Sequence, residues 1–369
     1  MCEIILFLIF IRPFISSLAF PYANLIYSTC LLVFLLIWLL QKGRPLNQIK
    51  QIRFPLSLFI LALVISLIFS QDKMTSMKEV YKYITGILLL CVGIFLSYKD
   101  KQRAILWIAA SGFLISILAI YQYFFGFQHL LSYVAEQGIS DSFTLDYVGQ
   151  RRVFSPFVTP NVLGGYLAMI IPLALTIKDG IWFIIPLSLA LLLTKSLGAL
   201  LSIFLGLIVF FYLQGRLQKR KIIILAAILL TIGSIFIVRA TIQKQHLTPI
   251  FSTLMRLNYW QDTVRIIKGY PLTGVGPGNF NLSCSRYAHN SYLQIWAEMG
   301  ILGLISFLWL VISVLKVSLK NLKDSADKIQ LIGLISLCGV FLIHNFVDFT
   351  FFLPEVSMIW WLILGLSFS

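Results

Sequence analysis

Charge is what this chain has least of. Only 12% of its 369 residues are Asp, Glu, Lys or Arg, against about 25% in ordinary soluble domains. Acids are the scarcer kind, 14 against 29 Lys and Arg. Cysteine is scarce as well: Cys2, Cys30, Cys91, Cys284 and Cys338 show no close spacing. Four lie in or beside apolar segments and only Cys284 suits an aqueous loop, so a disulfide framework is not expected. There is no CxxC, no HExxH and no acidic DxD. Neither a metal site nor a cofactor is signalled. No secretory leader is evident: residues 4–20 are apolar, but no Lys or Arg precedes them and Arg12-Pro13 interrupts the run. The segment reads as a retained first helix, or as a slightly trimmed start.

What the chain does have is hydrophobic length. Of its residues 59% are apolar, in runs of about 17 to 22 that suit helices crossing a bilayer core of about 30 Å. Backbone in lipid must satisfy its own hydrogen bonds, which leaves helices as the spanning choice for such runs. The expected fold is an all-α integral membrane protein, one polytopic domain over 1–369. The spans fall near 4–20, 22–40, 54–70, 80–97, 104–125, 161–177, 181–194, 197–213, 222–240, 291–315, 329–350 and 355–369, about twelve transmembrane helices. The division around Thr194 is the least marked.

The net charge of +15 is explained by topology, not by nucleic acid. Lys and Arg collect in cytoplasmic loops. The loops after helices two, four, six, eight and ten carry +4, +2, 0, +4 and +2, twelve of the fifteen net charges on one side. Both termini are then expected in the cytoplasm of a bacterial inner-membrane protein.

Two outer (periplasmic-side) loops, about 126–160 and 241–290, are too long to be connectors, and long loops tend to be functional. The second opposes the charge rule. Arg239, Lys244, Arg256, Arg265, Lys268 and Arg286 face Asp262 alone, a net +5. An anionic ligand on that face would account for it; anionic headgroups of the lipid bilayer would do so too.

The second loop carries Arg256-x-x-x-Trp260, then Gly274-Val-Gly276-Pro-Gly278-Asn-Phe280, then His289-Asn290-x-x-Leu293 and Glu298-x-Gly300. Residues 253–268 read as an interfacial helix with an apolar stripe of Leu254, Leu257, Trp260, Val264 and Ile267, and with Asp262 and Arg265 facing away. Arg256 stands at the border of that stripe, as a ligand-binding cation or as a snorkelling one. The glycine-rich run lacks the strand and helix of a dinucleotide loop and the Lys-Ser/Thr of a P-loop; it reads as a turn returning the chain to the membrane. His289 opens the tenth helix. An unperturbed pKa near 6.5 suits it to take a proton from a hydroxyl, although a His at a helix start also serves as a plain hydrogen-bonder.

The first loop ends in Arg151-Arg152-Val-Phe-Ser-Pro-Phe-x-x-Pro160-Asn161. Pro160 and Asn161 start the sixth helix, and a helix N-terminus beside an Arg is an anion site. Headgroup anchoring is the plainer alternative. His344-Asn345-x-x-Asp348 closes helix eleven, where polar groups need partners, and reads as packing or support. His129 and His246 are assigned no role.

In this order and in these loops, the segments resemble the O-antigen ligase family, which takes in O-antigen polymerases and protein O-oligosaccharyltransferases. The resemblance implies a GT-C-like many-helix fold and transfer of a glycan from undecaprenyl diphosphate to an acceptor without a metal ion. The acceptor would be lipid A-core, a glycan or another molecule. Arg256 and Arg152 would grip the diphosphate and His289 would activate or orient the acceptor hydroxyl. Arg151, Arg265, Asn161, Trp260 and Asn290 would contact substrate, with His344 and Asp348 behind them. The rival within the class is a polymerase joining carrier-linked repeats. Outside it stands a lipid-linked glycan transporter, for which internal repeats and broken mid-membrane helices would be expected; none is evident.

Overall fold

The computed structural model describes residues 1–42, 48–138, 145, 148–216, 218–242, 249–283, 285–325 and 327–368. Among them every regular element is helical. The α-helices are α1 (Cys2–Ile11), α2 (Pro21–Lys42), α3 (Arg53–Ile68), α4 (Lys73–Phe95), α5 (Tyr98–Tyr121), α6 (Phe127–Glu136), α7 (Pro160–Ala174), α8 (Ile181–Thr194), α9 (Leu197–Leu213), α10 (Lys219–Ile242), α11 (Pro249–Gly269), α12 (Ser291–Asn321), α13 (Lys328–His344) and α14 (Pro354–Ser367).

Helix starts follow from capping chemistry. Side chains of Asp72, Ser97, Thr159, Ser196, Asn290 and Asp327 accept from orphan N–H groups one turn ahead, each cap being worth about 1 kcal/mol. Ser196 also settles the division around Thr194: α8 ends there, Lys195 turns left-handed at φ 52°, and α9 begins at Leu197.

Several expected bounds shift, the fourth helix starting at Lys73 and the eleventh ending at His344, and two helices differ more. The first apolar run does not continue to residue 20. It breaks at Arg12-Pro13 into a short 3-10 turn, because the Arg12 guanidinium is buried, 3.5 Å from Glu355 at the head of α14, and donates to Asn24 Oδ1 at 2.7 Å. The 10 residues of α1 rise about 15 Å, half of a bilayer core. The fifth run does not stop near 125. A π turn at Gln122–Gly126 carries the chain into α6, so the first long loop opens as helix.

Among the described residues three stretches are long and apolar enough to cross a membrane: Pro21–Lys42, Tyr98–Glu136 and Ser291–Asn321. The remaining apolar helices, such as α3, α7, α8, α9, α13 and α14, run 14 to 17 residues. The centre is formed by α7 and α14, whose residues are all buried except the half-buried Asn161. α14 lies against α4, and α7 against α8, α9 and α13, while α12 packs on α3. Large apolar side chains stand exposed on the outer helices, among them Leu25, Ile26 and Leu40 of α2 and Leu61, Val64 and Ile68 of α3. Water would tolerate such a surface poorly; lipid accommodates it.

Candidate functional site

The site is assembled around a break in α12. Gly300 has φ 69° and ψ −179° inside that helix, which removes the partners of the preceding carbonyls. The glycine-rich run supplies new ones: Val275 N donates to Ala297 O and Gly276 N to Glu298 O, both at 2.9 Å, and Ile301 N donates to Pro271 O at 3.0 Å. Gly274, Gly276 and Gly278 all lie at positive φ, a conformation costly for side-chained residues. Gly278 N also donates to the buried Glu298 carboxylate at 3.0 Å, whose other oxygen accepts from Gln294 Nε2 at 2.9 Å. The run is thus a wedge bolted to a kinked helix, not a nucleotide loop.

That wedge fixes the residues just before α12. Asn290 Oδ1 accepts from Tyr292 N and Leu293 N at 3.0 and 3.1 Å, so its carbonyl is committed to capping. Ser291 bonds Asn345 Oδ1 at 2.6 Å and Asp348 O at 3.2 Å, which ties the head of α12 to the end of α13. His289, between them, has φ 51°, a strained conformation of the kind that clusters at functional sites. Its ring stacks on Tyr259 at 5.4 Å and meets the Phe349 ring edge-on at 4.8 Å. Its Nδ1 is buried and makes no hydrogen bond to a described residue. Burial holds the imidazole's pKa below its ordinary value; Asp348 opposes that and the Arg256 cation adds to it.

Arg256 comes from α11, whose packed side carries Arg256, Tyr259, Thr263 and Ile267, with Thr263 and Ile267 buried. Of the apolar stripe, Leu254, Leu257 and Val264 are 56%, 44% and 39% exposed while Ile267 is buried, so the stripe is divided between the outer surface and the packed side that carries Arg256. Arg256 Nε and Trp260 Nε1 are buried without a described partner, as is Asp348 Oδ2. Buried polar atoms are nearly always hydrogen-bonded, so the four such atoms on Arg256, Trp260, His289 and Asp348 are open to a polar partner. Asp348 Oδ1, by contrast, accepts from Phe349 N at 2.7 Å. His344 Nε2 stands 3.7 Å from Asp348 Oδ2, beyond hydrogen-bond range.

The first long loop reaches the same end of the bundle. Phe154 N and Ser155 N both donate to Gln122 Oε1, at 2.8 and 2.9 Å, and Val153 N to Leu193 O. The Arg152 guanidinium is aimed by Nε donating to Thr194 O at 2.9 Å and Nη2 to Asn161 Oδ1 at 2.8 Å. One turn along α7 from Asn161, Gly165 lies directly under the His344 ring. Arg256 in turn lies within electrostatic reach of both His289 and His344.

The structure therefore links Arg152, Asn161, Arg256, His289, His344 and Asp348, places Asn290 at the cap of α12, and leaves Trp260 one turn along α11 from Arg256. It does not bring in Arg265, which is 77% exposed and ion-paired to Asp262 at 2.6 Å, nor Arg151, exposed beside Arg152. Tyr259, Phe349, Gln122 and Ser291, the partner of Asn345, went unrecognised in the sequence. Only Tyr259 carried a signal, one helical turn after Arg256. Among the described residues no three His, Cys, Asp or Glu side chains gather where a metal could be held. Cys2, Cys30, Cys91 and Cys338 are free thiols; Cys284 and His246 lie outside the described residues.

No curated protein matches the chain. Residues 182–308, about a third of it, match the family model described as O-Antigen ligase. The match takes in Arg256, Trp260, the glycine-rich wedge and His289. On that match the segment 182–308 is similar to the O-antigen ligase family, and the apolar all-helical architecture is that of a multi-pass membrane protein.

Proposed function

We propose that this protein transfers a glycan from undecaprenyl diphosphate to an acceptor at the outer face of the bacterial inner membrane, as an O-antigen ligase does. The observation that carries the reading is the joining of the Arg256 cation, the strained His289 and the Asp348 carboxylate at one end of the bundle, with Arg152 aimed from the neighbouring loop. About twelve crossings with both termini in the cytoplasm put that end outward, as the loop charges require.

The chemistry follows from these groups. The acceptor hydroxyl oxygen attacks the anomeric carbon, forming the new C–O bond as the bond from that carbon to the diphosphate breaks. The hydroxyl proton passes to the His289 imidazole and from there to water. A neutral imidazole is needed for this, and burial favours that form. Negative charge grows on the departing undecaprenyl diphosphate, and guanidinium groups stabilise it by charge-assisted, often bidentate, hydrogen bonds. These cations take the part a divalent ion plays elsewhere, so the reading needs no metal. In-line displacement inverts the sugar carbon; the family resemblance supports that detail. Asp348 holds no substrate in this scheme but offsets the effect of Arg256 on His289.

A hydrogen bond to a charged group contributes about 1.5–3 kcal/mol, so losing one Arg contact should cost one to two decades in rate. A positioned general base contributes about 10²–10⁴-fold. The test is transfer by purified protein in nanodiscs, with polyprenyl-diphosphate glycan as donor, chelator present and acceptors supplied one at a time. Wild type should transfer while Arg256→Ala and His289→Ala lose activity by those factors. Lipid A-core as productive acceptor would identify a ligase, and carrier-linked repeats alone a polymerase. Folded variants with wild-type rates would sink the assignment.

A further inference from the structure

The opposite end of the bundle carries features that glycan transfer does not use. Two cavities of about 350 and 380 Å³ lie there, formed by the far ends of α4, α5, α12 and α14, whose other ends face the glycan site. The larger is lined by Gln48, Gln51, Phe95, Leu96, Lys101 and Phe368 among others. Lys101 and Asn321 line both cavities.

Lys101 is partly buried and forms no ion pair with any described residue, although acids are close by. Asp100 is held by Arg103, which also bonds Glu3. Asp327 accepts from Gln330 N at 3.2 Å and from Gln102 Nε2 at 3.4 Å. A partly desolvated ammonium without a counter-charge attracts an anion. The amides of Gln48 and Gln51 add donors at the mouth, and Phe95, Leu96 and Phe368 form an apolar wall beside them. Lys50 and Arg53 stand in the adjoining segment and make the approach electropositive.

From this juxtaposition we infer that the cavity at Lys101 binds the phosphodiester headgroup of an anionic membrane lipid, with its first acyl carbons against the apolar wall. Phosphate supplies the charge that Lys101 lacks and the acceptors that the two Gln amides require. The wall distinguishes a lipid from a free anion. By the loop charges this end faces the cytoplasm, so the site lies in the leaflet opposite the glycan chemistry and is independent of it.

The experiment is a binding titration on the delipidated full-length protein in detergent. The probes are short-chain phosphatidylglycerol, phosphatidylcholine of the same chain length and inorganic phosphate. Phosphatidylglycerol should bind with clear preference over phosphatidylcholine. Lys101→Gln should weaken it about tenfold, the loss of one hydrogen bond to a charged group, and Lys101→Arg should restore it. Inorganic phosphate competing at equal concentration would assign the same Lys101 site to a free anion and overturn the lipid as its occupant. Equal binding of both lipids, or wild-type affinity in Lys101→Gln, would overturn the site altogether. If Lys101→Gln does not fold, Gln51→Glu serves: the position is exposed, and a carboxylate at the mouth should repel the headgroup. Unchanged affinity there would count equally against the proposal.

Discussion

Substituting Ala for Gly165 probes the junction between α7 and α13 with a single methyl group. A Cβ built on Gly165 would stand 2.3 Å from Cδ2 and 2.4 Å from Nε2 of His344. Carbon atoms in contact sit about 3.5–4.0 Å apart, so the ring must move by more than about 1 Å. It has nowhere easy to go: His344 is 1% exposed, with Gly198 on another side and Asp348 beyond its Nε2. Overpacking of this kind costs about 1–3 kcal/mol. Asp348 acts on His289, so the displaced ring should also disturb the base, and a shift of about 1 Å in catalytic geometry can cost 10²-fold. Gly339→Ala, also on α13, is the control, because its Cβ would meet nothing within 4 Å. Both variants would be assayed in nanodiscs for glycan transfer and for thermal unfolding. Gly165→Ala should lose about two decades of kcat/KM and melt lower, while Gly339→Ala matches wild type. Wild-type activity and melting in Gly165→Ala would refute the argument that His344 is clamped and that its clamping matters.

Because burial, and then Arg256, hold the His289 pKa below its usual value, the base should stay neutral to lower pH. The acid limb of kcat/KM should therefore lie below about 6.5. Asp348→Asn removes the one opposing charge and should move the limb lower still; a limb at or above 6.5 would contradict both statements. Arg265→Ala should leave transfer within about twofold, since its ion pair with Asp262 is exposed and such pairs contribute about 0–1 kcal/mol. A loss as large as that of Arg256→Ala would move Arg265 into the site. Single cysteines introduced at Gln51 and Gln218 should react with an impermeant maleimide only after the cells are opened. Labelling of either in intact cells would invert the proposed topology.

Much of this was legible without coordinates, because hydropathy and capping act locally. Runs of apolar residues set α2, α3, α8 and α9 to within two residues at either end, and Pro160 and Asn161 marked the start of α7. Two elements misled for one reason. Arg12 ends a helix through a partner, Glu355, 343 positions later, and α6 is held by burial of Phe127 and Val134. Hydropathy is blind to both. Which edge of α11 packs inward was not legible. An apolar stripe indicates which face avoids water, but lipid and protein satisfy it equally, and Leu254 and Leu257 remain exposed.

The sequence by itself determined the medium, the all-helical class and the short motifs, since each depends on neighbours in the chain and on the solvent they prefer. It also set the glycine-rich run apart from nucleotide loops, by withholding their contexts; the positive φ of Gly274, Gly276 and Gly278 came from the structure. The tertiary structure decided which cations count. Arg256 and Arg265 are 9 positions apart on one helix; one lies beside His289 and the other pairs with Asp262 at the surface. It also decided that Asp348 acts on His289 and that Gly165 supports His344. Those relations join residues from α7, α11, α12 and α13, and only packing at a few ångströms, not spacing along the chain, brings their fields and surfaces together.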